Sequence, residues 1–176
     1  MFIVILLIAL VIYGIYHLII SDDEDISIVQ VRGKQGEETC IKVLSRLLDE
    51  NEYLFTNLLL PVGRGDKTEI DAVVVSRKGA FCIEIKKWVG HISGNETDQY
   101  WIQQYDDPSK QDKVHRNPYL QNQKHCDRLN RLFNGKYDFE NIVLFPEIED
   151  RSCLDSEATF DLNDFVRCYR RLSNTH

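Results

Sequence analysis

The first twenty residues of the chain are apolar almost without interruption. Residues 1–20 contain no Lys, Arg, Asp or Glu, and His17 and two tyrosines are their main polar side chains. The hydrocarbon core of a bilayer is crossed by about 20 residues of helix. A buried helix of a globular domain, the alternative, usually keeps one polar face, whereas this segment is apolar all round. The pattern therefore predicts a transmembrane anchor over residues 1–20.

After an acidic linker at residues 21–32, apolar positions recur at helical and at strand spacing in turn. Helices are predicted over Gly33–Glu50, from Asn117-Pro118 to Asn134-Gly135, and from about Asp161. Strand candidates are Tyr53–Leu60, Glu69–Ser76, Ala80–Trp88, His91–Ser93, Tyr100–Gln104 and Ile142–Phe145. The pattern predicts a single α/β domain over residues 33–176.

The charge of the chain is unevenly distributed. The net charge is -7, but acidic residues are concentrated at residues 22–25 and 138–164, whereas the segment Lys110–Lys136 holds seven basic residues against two acidic ones. The overall charge argues against a protein that coats nucleic acid unspecifically, because such binding depends on neutralising phosphates. The basic segment either follows a phosphate backbone or is a solvated helix face.

Cysteine usage and the charges beside the anchor favour a cytoplasmic domain. The five cysteines are widely spaced and include no C-x-x-C pair, which favours reduced thiols over disulfides or a zinc site. Arg32 and Lys34 are the first basic residues after the anchor. By the positive-inside rule, they place the C-terminal domain on the cytoplasmic side.

Three charged residues interrupt the two central strand candidates. Asp71 lies in EIDAVVV, and Glu84 and Lys86 lie in FCIEIKKW on one strand face. They form either a cross-strand salt bridge between Asp71 and Lys86, with Glu84 facing water, or a site where the two carboxylates bind Mg²⁺ beside the lysine.

The register of this hairpin decides which charges meet. A two-residue turn at Lys78-Gly79 would pair Arg77 with Ala80 and set Asp71 opposite Lys86. A three-residue turn would instead bring Asp71 opposite Ile85.

Five sequence pieces in order resemble the nuclease-related domain (NERD) family of the PD-(D/E)xK nuclease-like superfamily. The matching pieces are Gly33–Glu37, Thr68–Asp71, Gly79–Lys86, Trp88–Gly94 with Trp101, and Asn117–Gln121. The resemblance implies a restriction-endonuclease-like core, in which helices flank a central mixed sheet. Leu60-Pro61 stands where the superfamily's Pro-Asp would be sought, so its name-giving motif is only loosely matched.

The resemblance also implies the roles of the site residues. Asp71, Glu84 and Glu37 would bind Mg²⁺ or Mn²⁺, Lys86 would orient the attacking water, and Gln121 would lie beside the site. The alternative for Glu37 is an acidic residue in the first turn of a helix, where the helix dipole favours it. The alternative for Gln121 is an exposed helix residue without a role in the site. The two histidines of the basic segment, His115 and His125, are expected at the surface as incidental residues.

The function that follows is a membrane-anchored, metal-dependent nuclease that hydrolyses phosphodiester bonds in DNA or RNA, with DNA favoured. The alternative is a non-catalytic, membrane-tethered domain of the same fold that binds nucleic acid or a protein partner. A third possibility is an interaction domain without a nucleic-acid role, in which the charged residues form a closed salt bridge.

Overall fold

The computed structural model describes residues 28–63 and 65–172, with side chains from Gly36 onward. The predicted anchor at 1–20 and the first part of the predicted linker lie outside these residues. Within the described ranges, no helix is long and apolar enough to cross a membrane.

Three helices and nine strands form in the described part of the chain. The helices are α1 (Ile28–Leu47), α2 (Pro118–Leu132) and α3 (Leu162–Arg171). The strands are β1 (Tyr53–Gly63), β2 (Asp66–Ser76), β3 (Gly79–Ile85), β4 (His91–Asn95), β5 (Tyr100–Gln104), β6 (Lys113–Arg116), β7 (Phe139–Phe145), β8 (Asp150–Asp155) and β9 (Thr159–Asp161). The described part of helix α1 begins at Ile28, inside the predicted linker.

The central sheet is mixed, as the resemblance implies, with strand order β1-β2-β3-β7-β9. Strands β1, β2 and β3 pair antiparallel, whereas β3 with β7 and β7 with β9 pair parallel. Parallel strands are normally covered on both faces. Accordingly, Val143, Leu144 and Phe145 of β7 are fully buried.

Helices cover both faces of this sheet. Leu44 of α1 and Phe165 and Tyr169 of α3 pack on one face, in the same apolar cluster as Phe81 and Ile83 of β3. On the other face, α2 contributes Cys126 and Leu129 to a cluster around β1 and β2. Strand β3 is thus enclosed between helices, and polar side chains near its end are shielded from water.

A second sheet of order β6-β5-β4-β8 lies beside the first. Trp101 of β5 is fully buried in it, and its Nε1 donates to the carbonyl of Asn95 at 2.7 Å. Strands β6, β8 and β9 were not predicted. These strands are short and mostly polar. The residues of β6 and β8 are exposed or half-buried, so no apolar face repeats along their sequences. Their extended conformation therefore depends on pairing with neighbouring strands.

The predicted register of the β2–β3 hairpin is wrong by two residues. Ser76 pairs with Gly79 and Ala72 with Ile83, so the turn consists of Arg77 and Lys78. The Ser76 hydroxyl stabilises this turn, because it accepts from the Lys78 N–H at 3.0 Å and donates to the Gly79 carbonyl at 3.2 Å. Neither predicted pair, Arg77 with Ala80 or Asp71 with Lys86, forms.

Asn117 fixes the start of α2, as the Asn-Pro signal predicts. Its side-chain oxygen accepts from the backbone of Tyr119 and Leu120, and its amide donates to the carbonyls of Asn95, Glu96 and Asp98. This residue caps the helix and ties it to the β4–β5 connection at the same time. The orientation of α2, and of its side chains that face β3, is set from this end.

Candidate active site

Glu84 is the centre of a buried polar cluster between β3 and α2. The residue is 2% exposed, and its Oε1 accepts from Lys86 Nζ at 2.6 Å and from Gln121 Nε2 at 2.7 Å. Lys86 Nζ also donates to Gln121 Oε1 at 3.5 Å. The predicted salt bridge between Asp71 and Lys86 is replaced by one between Glu84 and Lys86, and Gln121 contacts both partners.

Asp71 lies where the β2–β3 ladder ends. Its Oδ2 accepts from the backbone N–H of Ile85 at 2.7 Å, in place of a further main-chain pair. Burial, followed by the nearby charge of Glu84, raises the pKa of Asp71 to about 7. Burial also raises the pKa of Glu84, although Lys86 opposes this shift. Two carboxyl groups with raised pKa values therefore lie beside one lysine, a combination typical of functional sites.

Glu37 is held near this pair by α1 and β1. At Gly36 the backbone of α1 lies close to the side chain of Lys87, since a Cβ atom at Gly36 would lie 2.8 Å from Lys87 Cδ. Glu37 Oε1 accepts from Asn57 Nδ2 at 3.2 Å, and the same amide donates to Glu69 at 3.0 Å. Asn57 has a φ of 53°, a left-handed conformation that asparagine tolerates better than most residues.

The three predicted metal ligands do not all meet in this conformation. Among the described residues, ligand atoms of three such groups lie within 4.8 Å of one another at His91, Asp106 and Glu149. At that trio, His91 is held by Asp106 at 2.9 Å and by Asp150 at 3.5 Å. Glu37 instead reaches the Asp71–Glu84 pair through its charge, which contributes to the raised pKa of Glu84.

His125 is buried beside Glu84, so its expected surface position is wrong. The residue is 3% exposed, its Nε2 lies 3.0 Å from Thr68 Oγ1, and its Nδ1 lies 3.7 Å from Glu84 Oε2. Burial, and then the charges of Arg128 and Lys86, lower its pKa to about 4. The sequence signal for this position is its spacing of four residues from Gln121, which places both side chains on one face of α2.

The donor set at Glu84 and Asp71 suits a divalent cation. Glu84 Oε2 is buried and lacks a hydrogen-bond partner among the described residues. Unpaired buried oxygens are costly, and carboxylate oxygens are the ligands that Mg²⁺ prefers. A cation would also relieve the repulsion that raises the pKa of Asp71.

A cleft of about 760 Å³ opens between α2 and the second sheet, with Gln121 and His125 in its wall. Its lining also includes the basic side chains of Arg116, Lys124 and Arg128. Part of the predicted basic segment therefore lines this cleft.

The fold is an α/β domain with a mixed sheet covered by helices on both faces, and an Asp, a Glu and a Lys lie at the end of its central hairpin, which is consistent with a nuclease-like core. The chain belongs to the nuclease-related domain family, because the sequence model of that family matches residues 32–146. This range contains every sequence piece on which the resemblance rests, and it confirms the predicted family.

A protein of Bacillus anthracis, described as uncharacterised, is 33% identical over 114 residues. The match covers 65% of this chain and 52% of that protein, so the chain spans about half the length of the curated relative that it matches. No solved structure matches the chain.

Proposed function

We propose that the protein is a metal-dependent nuclease that hydrolyses phosphodiester bonds in nucleic acid, built on a PD-(D/E)xK-like core. The observation that carries this proposal is the junction of Glu84, Lys86 and Gln121 beside the buried carboxyl of Asp71. A domain that only binds nucleic acid has no evident need to bury two carboxyl groups of raised pKa against one lysine.

Lys86 has the most direct chemical role among these residues. Its side chain is 24% exposed and its ammonium lies against Glu84, so it can reach solvent while it remains oriented by its partner. There it would orient the attacking water and stabilise the negative charge that develops on the phosphoryl oxygens. Gln121 would hold Glu84 and Lys86 in a fixed relative position, since it bonds to both.

Asp71 and Glu84 would hold Mg²⁺ or Mn²⁺, and Glu37 would complete the shell from α1. The bound cation would supply charge neutralisation and a lowered pKa of water. The buried, unpartnered Oε2 of Glu84 supports this assignment, because it is the oxygen that Lys86 and Gln121 leave available.

Cleavage by the full-length chain in mild detergent tests the proposal. Labelled single-stranded and duplex DNA and RNA would be incubated with Mg²⁺, Mn²⁺ or EDTA, alongside the Lys86→Met and Asp71→Asn variants. We expect metal-dependent cleavage that falls at least about 100-fold in both variants, the usual effect of losing electrostatic or acid–base catalysis. Lys136→Met is the charge-matched control, because Lys136 is exposed beyond the end of α2. Equal activity in Lys86→Met and in this control would refute the assignment.

The second candidate is a non-catalytic domain of the same fold that binds nucleic acid or a protein. One observation favours it: Lys86 already neutralises Glu84, and Glu37, Asp71 and Glu84 do not all meet within the described structure. Binding of nucleic acid without cleavage under either metal would support this candidate over the nuclease.

The proposed nuclease is tethered to a membrane by residues 1–20, with its domain in the cytoplasm. The apolar N-terminal sequence and the basic residues Arg32 and Lys34 support this placement. All five cysteines are free thiols, which suits a reducing compartment. Extraction of membranes with alkaline carbonate tests the anchor. Protease treatment of separate, sealed vesicles tests the orientation of the domain. Release by carbonate would contradict the anchor, and protection of the domain inside right-side-out cells but not in inverted vesicles would support the orientation.

A further inference from the structure

The cleft beside Gln121 has an uneven chemical lining. Three basic side chains lie in it, those of Arg116, Lys124 and Arg128, and its lining contains no Asp or Glu. None of the three forms a salt bridge with another described residue. Unpaired cations around a concave surface are suited to phosphate groups.

Three acidic residues on segments that adjoin the cleft have hydrogen-bond partners outside its lining or on α2 itself. The carboxylate of Asp98 accepts from the backbone of Asn95 at 2.9 Å, and that of Glu96 accepts from Ser156 at 2.7 Å. On α2, Asp127 accepts from Gln123 at 3.1 Å. None of these acids forms a salt bridge with a cation of the cleft within the described structure.

An aromatic ring lies among the same residues. Tyr100 lines the cleft and is 58% exposed, whereas its strand neighbour Trp101 is fully buried. Tyr100 is the direct cross-strand partner of Arg116, so the ring and the guanidinium are neighbours on the outer face of the second sheet. An exposed tyrosine next to an arginine provides a stacking surface and a phosphate contact at one place.

From this combination we infer that the cleft binds single-stranded nucleic acid, with an unpaired base stacked on Tyr100 and the backbone phosphates held by Arg116, Lys124 and Arg128. Stacking on an aromatic side chain requires the face of a base, which a duplex keeps covered by its neighbouring base pairs. The volume of about 760 Å³ lies in the range of pockets for small ligands, about 300–1,000 Å³, which suits separated nucleotides better than a double helix.

The cleft also leads to the proposed catalytic residues. Gln121 and His125 belong to its wall, and both contact Glu84. A single-stranded nucleic acid that stacks on Tyr100 would therefore pass along α2 towards Lys86. This inference rests on the proposed function for its assignment of the chemistry, and it adds the substrate class: single strands, or single-stranded ends of duplexes.

Binding in EDTA tests the cleft separately from cleavage. Fluorescence anisotropy of the full-length chain in detergent would compare a labelled single-stranded DNA, the RNA of the same sequence, and a blunt duplex. We expect tighter binding of the single strands, and the DNA and RNA arms show which sugar is preferred. Equal or tighter binding of the blunt duplex would overturn the inference.

Variants separate stacking from charge. We expect Tyr100→Leu to weaken single-strand binding about 5- to 150-fold, the range that corresponds to stacking of about 1–3 kcal/mol, and Tyr100→Phe to retain it. Arg128→Gln should weaken binding and reduce its salt dependence, whereas Arg131→Gln, at an exposed position of α2 outside the cleft lining, is the matched control. Unchanged binding in Tyr100→Leu would overturn the stacking assignment. The comparison of single strand with duplex uses the unaltered chain and does not depend on the folding of any variant.

The two proposals fail in different ways. Single-strand binding that depends on Tyr100, without cleavage under Mg²⁺ or Mn²⁺, would support the cleft and refute the nuclease. Metal-dependent cleavage of blunt duplexes that is unaffected by Tyr100→Leu would support the nuclease and overturn the cleft inference.

Discussion

His125 Nδ1 lies 3.7 Å from Glu84 Oε2, and neither atom has a hydrogen-bond partner among the described residues. The lowered pKa of His125, about 4, keeps its ring neutral at pH 7, with a single N–H to place. If the Thr68 hydroxyl donates to Nε2, the N–H is on Nδ1 and points towards the carboxylate. His125 then orients the oxygen of Glu84 that Lys86 and Gln121 do not use.

Substitution of His125 tests this positioning role. His125→Leu removes the donor and should lower kcat about tenfold or more with little change in KM, because the ring is 3% exposed and acts on the reaction through Glu84. His125→Asn places an amide N–H near the position of Nδ1 and should retain most of the activity. Thermal melts of both variants control for folding, since Thr68 loses a hydrogen bond worth about 1 kcal/mol in the leucine variant. Equal activity of the two variants would indicate that His125 serves only in packing.

Asp71 makes the metal-free protein less stable as the pH rises. Its folded pKa of about 7 lies above the ordinary value of 3.8, so the fold favours the protonated carboxyl. The resulting stability is fully present below pH 3.8 and is lost as the pH rises through 7. In EDTA, Asp71→Asn should therefore gain stability relative to the wild type between pH 5 and pH 8, by up to a few kcal/mol. Urea denaturation at several pH values measures this difference, and a constant difference would contradict the prediction.

Divalent cations should reverse this loss. Mg²⁺ that binds the folded state at 100 times its Kd stabilises a protein by about 2.7 kcal/mol. Because the cation requires ionised carboxylates, the rise in Tm should be larger at pH 8 than at pH 6. It should disappear in Asp71→Asn, and Na⁺ at equal ionic strength controls for screening. A Tm that responds equally to Mg²⁺ in both proteins would place the cation elsewhere.

Gly90 is required for the approach of β4 to β5. Its φ is 82°, and a Cβ atom there would lie 2.3 Å from the backbone oxygen of Gln104. Gly90→Ala should therefore lower the free energy of unfolding by at least about 2 kcal/mol, since both strain and a backbone clash are introduced. Gly135→Ala is the control for strain alone, because Gly135 has a φ of 66° and, its chain neighbours apart, no atom of the described residues lies within 4 Å of its Cβ position. Similar losses in both variants, measured by urea denaturation, would exclude the clash.

The predictions from sequence were best where the signal is local. Asn117-Pro118 marks the start of α2, and β5 has the predicted bounds, because a helix cap and strand alternation depend only on neighbouring residues. Strands such as β8, by contrast, are polar and are extended because they pair with strands far away in the sequence. Such pairing does not require a regular alternation of apolar and polar residues, so the sequence contains no pattern that predicts it.

The candidate site shows the same division. The sequence named Asp71, Glu84, Lys86 and Gln121, and the structure brings the last three into one hydrogen-bonded cluster with Asp71 at its edge. It did not indicate His125, whose burial depends on the packing of α2 against β3. Their roles in catalysis, and that of Glu37, stay predictions.

By itself, the sequence determined the family, the α/β class and the residue types of the site, because these follow from motifs and short-range periodicity. The tertiary structure decided the partner of each charge. A two-residue difference in the β2–β3 register and the orientation of α2 set Lys86 against Glu84 rather than Asp71. The pairing of β5 with β6 brought Tyr100 and Arg116 side by side at the cleft. These pairings join residues distant in the chain, and they are fixed by packing and hydrogen bonding across the whole domain.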